Sequence, residues 1–209
     1  MRTARTLFMI AAVIAAANSC GRAARESRSP VLLIIDSLQA SQGGGGSAGA
    51  TGTLTSDVQT IVTSPPPCSN TQPCATVFND TGQAIIHLIS RDIGVPAFTI
   101  APSVLNQVTL GRYHVVYRRT DGRNTPGVDV PFAFDGAVTG TVPATGSLTV
   151  GFELVRHVAK LETPLVQLVS NGVIITTIAE VTFYGRDAAG NEISVAGSMT
   201  IDFGNFGDK

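Results

Sequence analysis

Apolar and polar residues alternate at a spacing of two along much of this chain. Near the C-terminus Ile193, Val195, Gly197, Met199, Ile201 and Phe203 alternate with Glu192, Ser194, Ala196, Ser198, Thr200 and Asp202. The same spacing recurs in Leu148, Val150, Phe152 and Leu154, and in Tyr113, Val115 and Tyr117. Because successive side chains of a strand point to opposite faces, this pattern predicts strands with one buried face.

Further segments predict strands by their content of β-branched and aromatic residues and by the turn residues between them. They are Val31–Ile35, 53–62, 75–79, Ala84–Ile89, Val108–Arg118, Leu165–Val169 and Val173–Tyr184. The continuous apolar run Val31–Ile35 is typical of a strand covered on both faces. Asn171-Gly172 lies between the last two segments and is the strongest two-residue hairpin signal in the chain.

Helical periodicity is not sustained anywhere, and only Val155–Glu162 favours a turn of helix. The sequence therefore predicts an all-β domain of about nine or ten strands. Two packed antiparallel sheets, a β-sandwich, are the natural way to bury that many one-sided strands.

The N-terminus has a different pattern. Arg2 and Arg5 precede an uncharged run from Leu7 to Ala17, which is typical of an export signal. The run is shorter than the about 20 apolar residues of a membrane-spanning helix. We expect residues 1–19 to be a signal peptide, 20–30 a polar tether, and 31–204 a single β-sandwich domain.

The end of this signal, Ala17-Asn18-Ser19-Cys20, resembles the lipobox of bacterial lipoproteins. The resemblance implies that Cys20 is lipidated and becomes the new N-terminus. It implies a location in the cell envelope, with the protein held on a membrane by its lipid anchor. The alternative is ordinary cleavage after Ala15-Ala16-Ala17, which leaves Cys20 free.

The cysteine count agrees with lipidation. The chain has three cysteines, and an odd count in an exported protein leaves one unpaired. If Cys20 carries lipid, Cys68 and Cys74 remain to form a disulfide around a short loop, and an oxidising compartment preserves such a bond. No histidine lies near this pair, which disfavours a metal site.

Composition excludes several classes of function. The chain is 44% hydrophobic and 14% charged with a formal net charge of −1, so it lacks the basic field that nucleic-acid binding requires. No nucleophile elbow, zinc-protease motif or P-loop occurs, and His87, His114 and His157 each stand alone among predicted strand residues. The glycines of 43–49 precede a strand-like segment rather than a helix, so they predict a flexible loop. We expect no catalytic residues, no metal and no cofactor.

The segment Tyr184–Asn191, followed by the last predicted strand, is similar to the final hairpin of bacterial immunoglobulin-like and fibronectin-type-III-like domains. Those domains often carry an Asp-x-x-Gly-Asn turn at this place. The resemblance implies an immunoglobulin-like sandwich and implies nothing about activity.

The densest polar segment runs from Arg118 to Asp129. Its candidate binding residues are Arg118, Arg119, Asp121, Arg123, Asn124 and Asp129. One interpretation is an internal salt-bridge lattice; the other is a recognition loop for a glycan, a peptide or an envelope protein. A calcium site is disfavoured by the neighbouring arginines.

Together these features predict an exported, lipid-anchored envelope protein that acts as a non-catalytic binding or structural module. The alternative is a carbohydrate-active or proteolytic enzyme with an unrecognised site.

Overall fold

A computed structural model describes residues 28–44, 49–92, 94–95, 98–99 and 101–206. Strands make up most of the regular structure in these ranges. They are β1 (Val31–Ser41), β2 (Thr53–Asp57), β3 (Thr60–Val62), β4 (Cys74–Thr76), β5 (Asp80–Ser90), β6 (Gly94–Val95), β7 (Phe98–Thr99), β8 (Val108–Arg118), β9 (Phe134–Val142), β10 (Ser147–Val155), β11 (Ile175–Asp187) and β12 (Glu192–Gly204). One turn of α-helix, α1 (His157–Lys160), and 3-10 helices at Val104–Asn106 and Leu165–Ser170 accompany them. The domain is all-β, as the alternation predicts.

Two sheets contain the long strands. A three-stranded antiparallel sheet has the order β1-β5-β10, and a five-stranded sheet has the order β2-β12-β11-β8-β9. In the larger sheet β2 runs parallel to β12, and the other neighbours are antiparallel. Two small hairpins, β3 with β4 and β6 with β7, lie outside these sheets.

The two sheets bury apolar side chains against each other in a common core. At its centre the Phe152 ring of the smaller sheet lies 5.2 Å from both Tyr113 and Phe183 of the larger sheet. Each such aromatic contact adds about 0.5–1.5 kcal/mol beyond the area buried. Gly82 on β5 is required here, because a Cβ would overlap the Phe152 ring.

The strand register defines two ends of the molecule. At the near end β1 begins and β5 finishes, with Val31 opposite Ser90. The other end, called the far end below, holds the start of β5 at Asp80 and the last residue of β8, Arg118. A strand rises about 3.3 Å per residue, so β5 separates the two ends by roughly 35 Å.

The prediction of a hairpin around Asn171-Gly172 is wrong. Residues Leu165–Ser170 form a 3-10 helix, and β11 begins only at Ile175. Leu165 and Leu168 are buried while Val166 is exposed, and this spacing of three matches the period of a 3-10 helix. An apolar run this short does not distinguish a strand from a buried helical turn.

Other differences are smaller. The segment 53–62 is divided into β2 and β3, and β9, which is rich in glycine and threonine, is a strand that the sequence does not predict. The run Val31–Ile35 continues to Ser41 as an edge strand, and Ile34 and Ile35 are only partly buried, so burial on both faces is wrong. The turn of helix predicted within Val155–Glu162 is confirmed as α1.

The last hairpin is confirmed, and one carboxylate organises its turn. Asp187 accepts hydrogen bonds from the backbone N–H groups of Ala189 and Asn191 at 3.0 and 2.8 Å. Gly190 adopts a φ of 82°, in the left-handed region that favours glycine. Ser29, near the end of the predicted tether, is buried beside this turn and also hydrogen-bonds Asp187.

The predicted pairing of Cys68 with Cys74 is confirmed as a disulfide. Cys20 and the signal peptide lie outside the described residues. Within the ranges that the structure describes, no helix is long and apolar enough to cross a membrane.

Candidate functional site

Two of the segments at the far end contact each other. One is the connection between β8 and β9, and the other runs from α1 to the start of β11. The hydroxyl of Thr163 donates to the carbonyl of Gly127 at 2.6 Å and holds the two segments together. Gly127 has a φ of 74°, and the Phe132 ring occupies the space that a Cβ there would fill.

Three of the candidate binding residues form an exposed ion cluster. The Arg119 guanidinium donates to both carboxylate oxygens of Asp121, at 3.2 and 2.6 Å. The Arg123 guanidinium donates twice to one oxygen of Asp121, at 3.0 and 2.8 Å. These hydrogen bonds, with one from the Arg123 backbone N–H, hold the pKa of Asp121 well below its usual range. The Arg123 side chain remains 65% exposed, so its outer face is accessible.

The other candidate residues have separate roles. Asn124 accepts the Arg119 backbone N–H at 2.6 Å and so closes the turn. Asp129 accepts the Thr125 N–H at 3.1 Å. Arg118 pairs with Glu180 across the outer face of the larger sheet at 2.9 Å. Arg119, Asp121 and Arg123 therefore pair within the loop, as in the internal lattice, whereas Arg118 and Asp129 have other partners.

Large exposed apolar side chains are concentrated in the same two segments. Those at the far end are Val128, Phe132, Val158, Leu161, Val166, Val173 and Ile174. Phe132 and Leu161 are 56% and 57% exposed, respectively. Scattered exposed apolar residues are ordinary, but a concentration at one end is typical of an interaction surface. Sequence reasoning missed this set because it weighed only the polar residues of the loop.

A buried ion pair also lies at the far end, where β5 begins. Lys160 Nζ lies 2.9 Å from Asp80 Oδ1, and the two side chains are 1% and 0% exposed. Nζ also donates to the backbone carbonyl of Asp57 at 2.8 Å. The second carboxylate oxygen, Asp80 Oδ2, accepts the hydroxyl of Ser56 at 2.6 Å. No local pattern in the sequence indicates this pair, because its members are 80 residues apart.

Tyr117 is a core residue that lies close to the buried ion pair. Its hydroxyl donates to the carbonyl of Leu154 at 2.6 Å. Burial raises the pKa of Tyr117 far above its usual value, and the nearby charge of Asp80 raises it further. The phenol therefore stays neutral and acts as a hydrogen-bond donor.

The three histidines each contact a single acidic or amide side chain through Nδ1. The pairs are His87 with Asp36 at 2.8 Å, His114 with Asp135 at 3.2 Å, and His157 with Asn79 at 2.9 Å. His157 lies in α1 rather than in a strand. In the part of the chain that the structure describes, no group of three or more His, Cys, Asp or Glu side chains is placed to hold a metal ion.

A groove lies at the near end, on the larger sheet. Gly111 of β8 is skipped in the pairing with β11, where Tyr184 lies opposite Arg112 and Gly185 opposite Leu110, and the pairing of β8 with β9 shifts at the same residue. The groove of about 450 Å³ lies beside this irregularity, with the Arg112 guanidinium stacked 3.9 Å above the Tyr184 ring. Arg112 is paired with Asp135, and Arg186, also in the groove, with Glu192. Its positive charges are thus balanced locally, and the groove presents no field that selects an anion.

Comparison with known proteins adds little. No family model matches the chain, and no curated protein sequence matches it. The chain is similar to the X-ray structure of Northeast Structural Genomics Consortium target SoR45, with a TM-score of 0.35 and 11% identity. That match covers 82% of this chain and 86% of the other.

Proposed function

We propose that this protein is an exported, lipid-anchored envelope module that binds a partner protein through its far end. In this proposal the two main sheets form an immunoglobulin-like sandwich that acts as a rigid spacer. Cys20 carries the lipid, residues 20–30 form the tether, and the loop Arg118–Asp129 belongs to the contact surface.

The position at which β1 begins is the observation that supports the far end as the contact surface. A tether that leads into β1 at Val31 reaches the domain at its near end. The near end is then held toward the membrane, and the far end stands roughly 35 Å further out. The loop with the candidate residues and most of the exposed apolar side chains is at that outer end.

The chemistry of the far end favours a protein partner. Aromatic side chains and arginine are enriched at protein contacts, whereas lysine and glutamate are depleted. Here Phe132 and Leu161 supply apolar area, and Arg123 presents an accessible guanidinium already oriented by Asp121. A partner surface with an apolar centre and a carboxylate at its margin complements this arrangement.

The surface is tested by a pair of matched double variants. Phe132→Asp with Leu161→Asp adds charge to the far end, and Val104→Asp with Leu105→Asp adds the same charge to exposed apolar residues near the other end. After chemical crosslinking in intact cells, a specific partner should be recovered with wild type and with the near-end variant. Recovery should fall at least about tenfold with the far-end variant, which corresponds to about 1.4 kcal/mol of binding free energy.

Thermal unfolding of both variants provides the control for folding. Since all four residues are largely exposed, both melting temperatures should stay close to wild type. Equal recovery of the partner with both variants would refute the far end as the contact surface.

The anchor is tested separately with Cys20→Ala. The wild-type protein should fractionate with membranes and begin at an acylated Cys20, whereas the variant should be released or remain unprocessed. A soluble wild-type product beginning at Asn18 would contradict lipidation and leave the contact surface untouched.

A further inference from the structure

The buried ion pair contains a lysine, and lysine is rare in this protein. The chain contains two lysines, Lys160 and Lys209, and only Lys160 lies among the described residues. Every other basic charge in the described ranges, histidine aside, is an arginine. A guanidinium is always protonated and is a poor nucleophile, whereas the amine of a desolvated lysine is a nucleophile. Lys160 therefore brings a reactive group to the site where it contacts Asp80.

We propose that Lys160 and Asp80 condense to an intramolecular amide that crosslinks α1 to β5. The proton of the ammonium passes to Asp80 Oδ1 across the 2.9 Å hydrogen bond, giving a neutral amine and a neutral carboxyl group. The Nζ lone pair then forms a bond to Cγ. The Cγ–Oδ1 bond breaks, and Oδ1 leaves as water with the transferred proton and one further proton from Nζ. The ammonium and the carboxylate are both consumed, and no oxidant or other reagent is needed.

Two of the three groups around the pair keep a partner in the product, and the third, the N–H of Gly43, loses its acceptor. The hydroxyl of Ser56 donates to Oδ2 at 2.6 Å, which polarises the oxygen that remains as the amide carbonyl. The carbonyl of Asp57, 2.8 Å from Nζ, continues to accept the N–H of the new amide. The departing oxygen is the one that accepts the backbone N–H of Gly43, at 3.0 Å.

Burial supplies the driving force. Two charges held at 1% and 0% exposure retain a large desolvation cost, whereas an amide with both hydrogen bonds satisfied does not. The fold also holds the reacting groups in contact, and well-oriented intramolecular reactions reach effective concentrations of about 10⁵–10⁸ M. Because the site is closed to solvent, water has little access to the amide, which slows its hydrolysis.

Peptide mapping of the folded, purified full chain tests this directly. Trypsin cuts after lysine and arginine, so an unlinked chain yields separate peptides on either side of Lys160. If the amide is present, Lys160 is not cleaved, and residues 29–91 are recovered joined to residues 157–186. The joined species must be one water lighter than the sum of its two peptides, and fragmentation must place the link at Lys160 and Asp80.

Lys160→Arg is the matched control, because it keeps the positive charge and removes the nucleophile. This variant should show no joined species, and after correction for the Lys-to-Arg mass difference wild type should be one water lighter than the variant. Water can also be lost where Asp121 closes onto the amide of Gly122, but that product leaves cleavage after Lys160 intact. Complete cleavage after Lys160 in wild type, with no joined species, overturns the proposal even if no variant folds.

Discussion

The far end contains two ion clusters that differ in almost every physical respect. Asp121 lies at the surface between two arginines, within a loop whose members are close in sequence. Asp80 is closed to water and faces a lysine 80 residues away. The first cluster has water as an alternative partner, and the second has none. Removing the two clusters should therefore lower the free energy of unfolding by very different amounts, although both pair an aspartate with a basic side chain.

The difference follows from the unfolded state as much as from the folded one. An exposed pair exchanges protein contacts for hydration with little net change, and salt weakens what remains. A buried pair has already lost its hydration, so removing one partner leaves an uncompensated charge. The surface cluster shapes a loop, while the buried pair fixes where α1 lies on the two sheets.

The largest effect is expected from breaking the buried pair. Asp80→Ala should lower the free energy of unfolding by about 3–5 kcal/mol if wild type keeps the ion pair, and by more if the pair has condensed to the amide, because in both cases Lys160 is left buried without its partner. The double variant Asp80→Leu with Lys160→Met removes both charges and should be more stable than Asp80→Ala alone. Urea denaturation at pH 7 measures all three proteins. A loss below about 1 kcal/mol for Asp80→Ala would mean that the pair is solvated like a surface pair.

Asp187 is intermediate between Asp121 and Asp80. Its carboxylate is largely buried, and it is stabilised by backbone N–H donors instead of a basic side chain. Asp187→Ala should cost about 1–3 kcal/mol, since the N–H groups of Ala189 and Asn191 lose their acceptor. Burial opposes the charged form, but hydrogen bonds from Asn191, Ser29 and Ala189 outweigh it and lower the pKa of Asp187.

This shift predicts a pH dependence with a definite sign. A lowered pKa in the folded state gives stability that is present above the unfolded value of about 3.9 and is lost as the pH falls through the folded value. The stability difference between wild type and Asp187→Asn should therefore be constant from about pH 5 to 8 and shrink at more acid pH. A difference that grows on acidification would contradict the assignment.

Features that depend on neighbouring residues could be predicted from the sequence, whereas the buried ion pair could not. The strand Val108–Arg118 is predicted with its correct bounds, because period-two alternation is a local property of the chain. The pairing of Cys68 with Cys74 is also local and confirmed. The contact of Lys160 with Asp80 depends on β5 and β10 lying side by side, which no local pattern encodes.

The loop Arg118–Asp129 could be predicted only in part. Its residues allowed two interpretations, and the pairing of Asp121 with Arg119 and Arg123 follows from their proximity in sequence. What the pattern did not indicate is that Val128 and Phe132, in and beside this polar loop, stay exposed. Exposure of an apolar residue is decided by the whole fold, because a neighbouring segment determines whether it is covered.

The smallest effect is expected at the surface cluster, where Asp121→Asn removes the charge and keeps the shape. The hydrogen bond from the Arg119 backbone to Asn124 remains, so the loop retains its turn. The unfolding midpoint should not change measurably at physiological salt, because exposed pairs are screened over about 8–10 Å and exchange readily with water. Since the lowered pKa of Asp121 keeps it charged above about pH 5, the absence of an effect should hold across the neutral range. Hydrogen exchange should instead report the change locally, with faster exchange of the Arg123 N–H that donates to Asp121. A fall in global stability as large as that of Asp80→Ala would show that the exposed cluster stabilises the fold as strongly as the buried pair does.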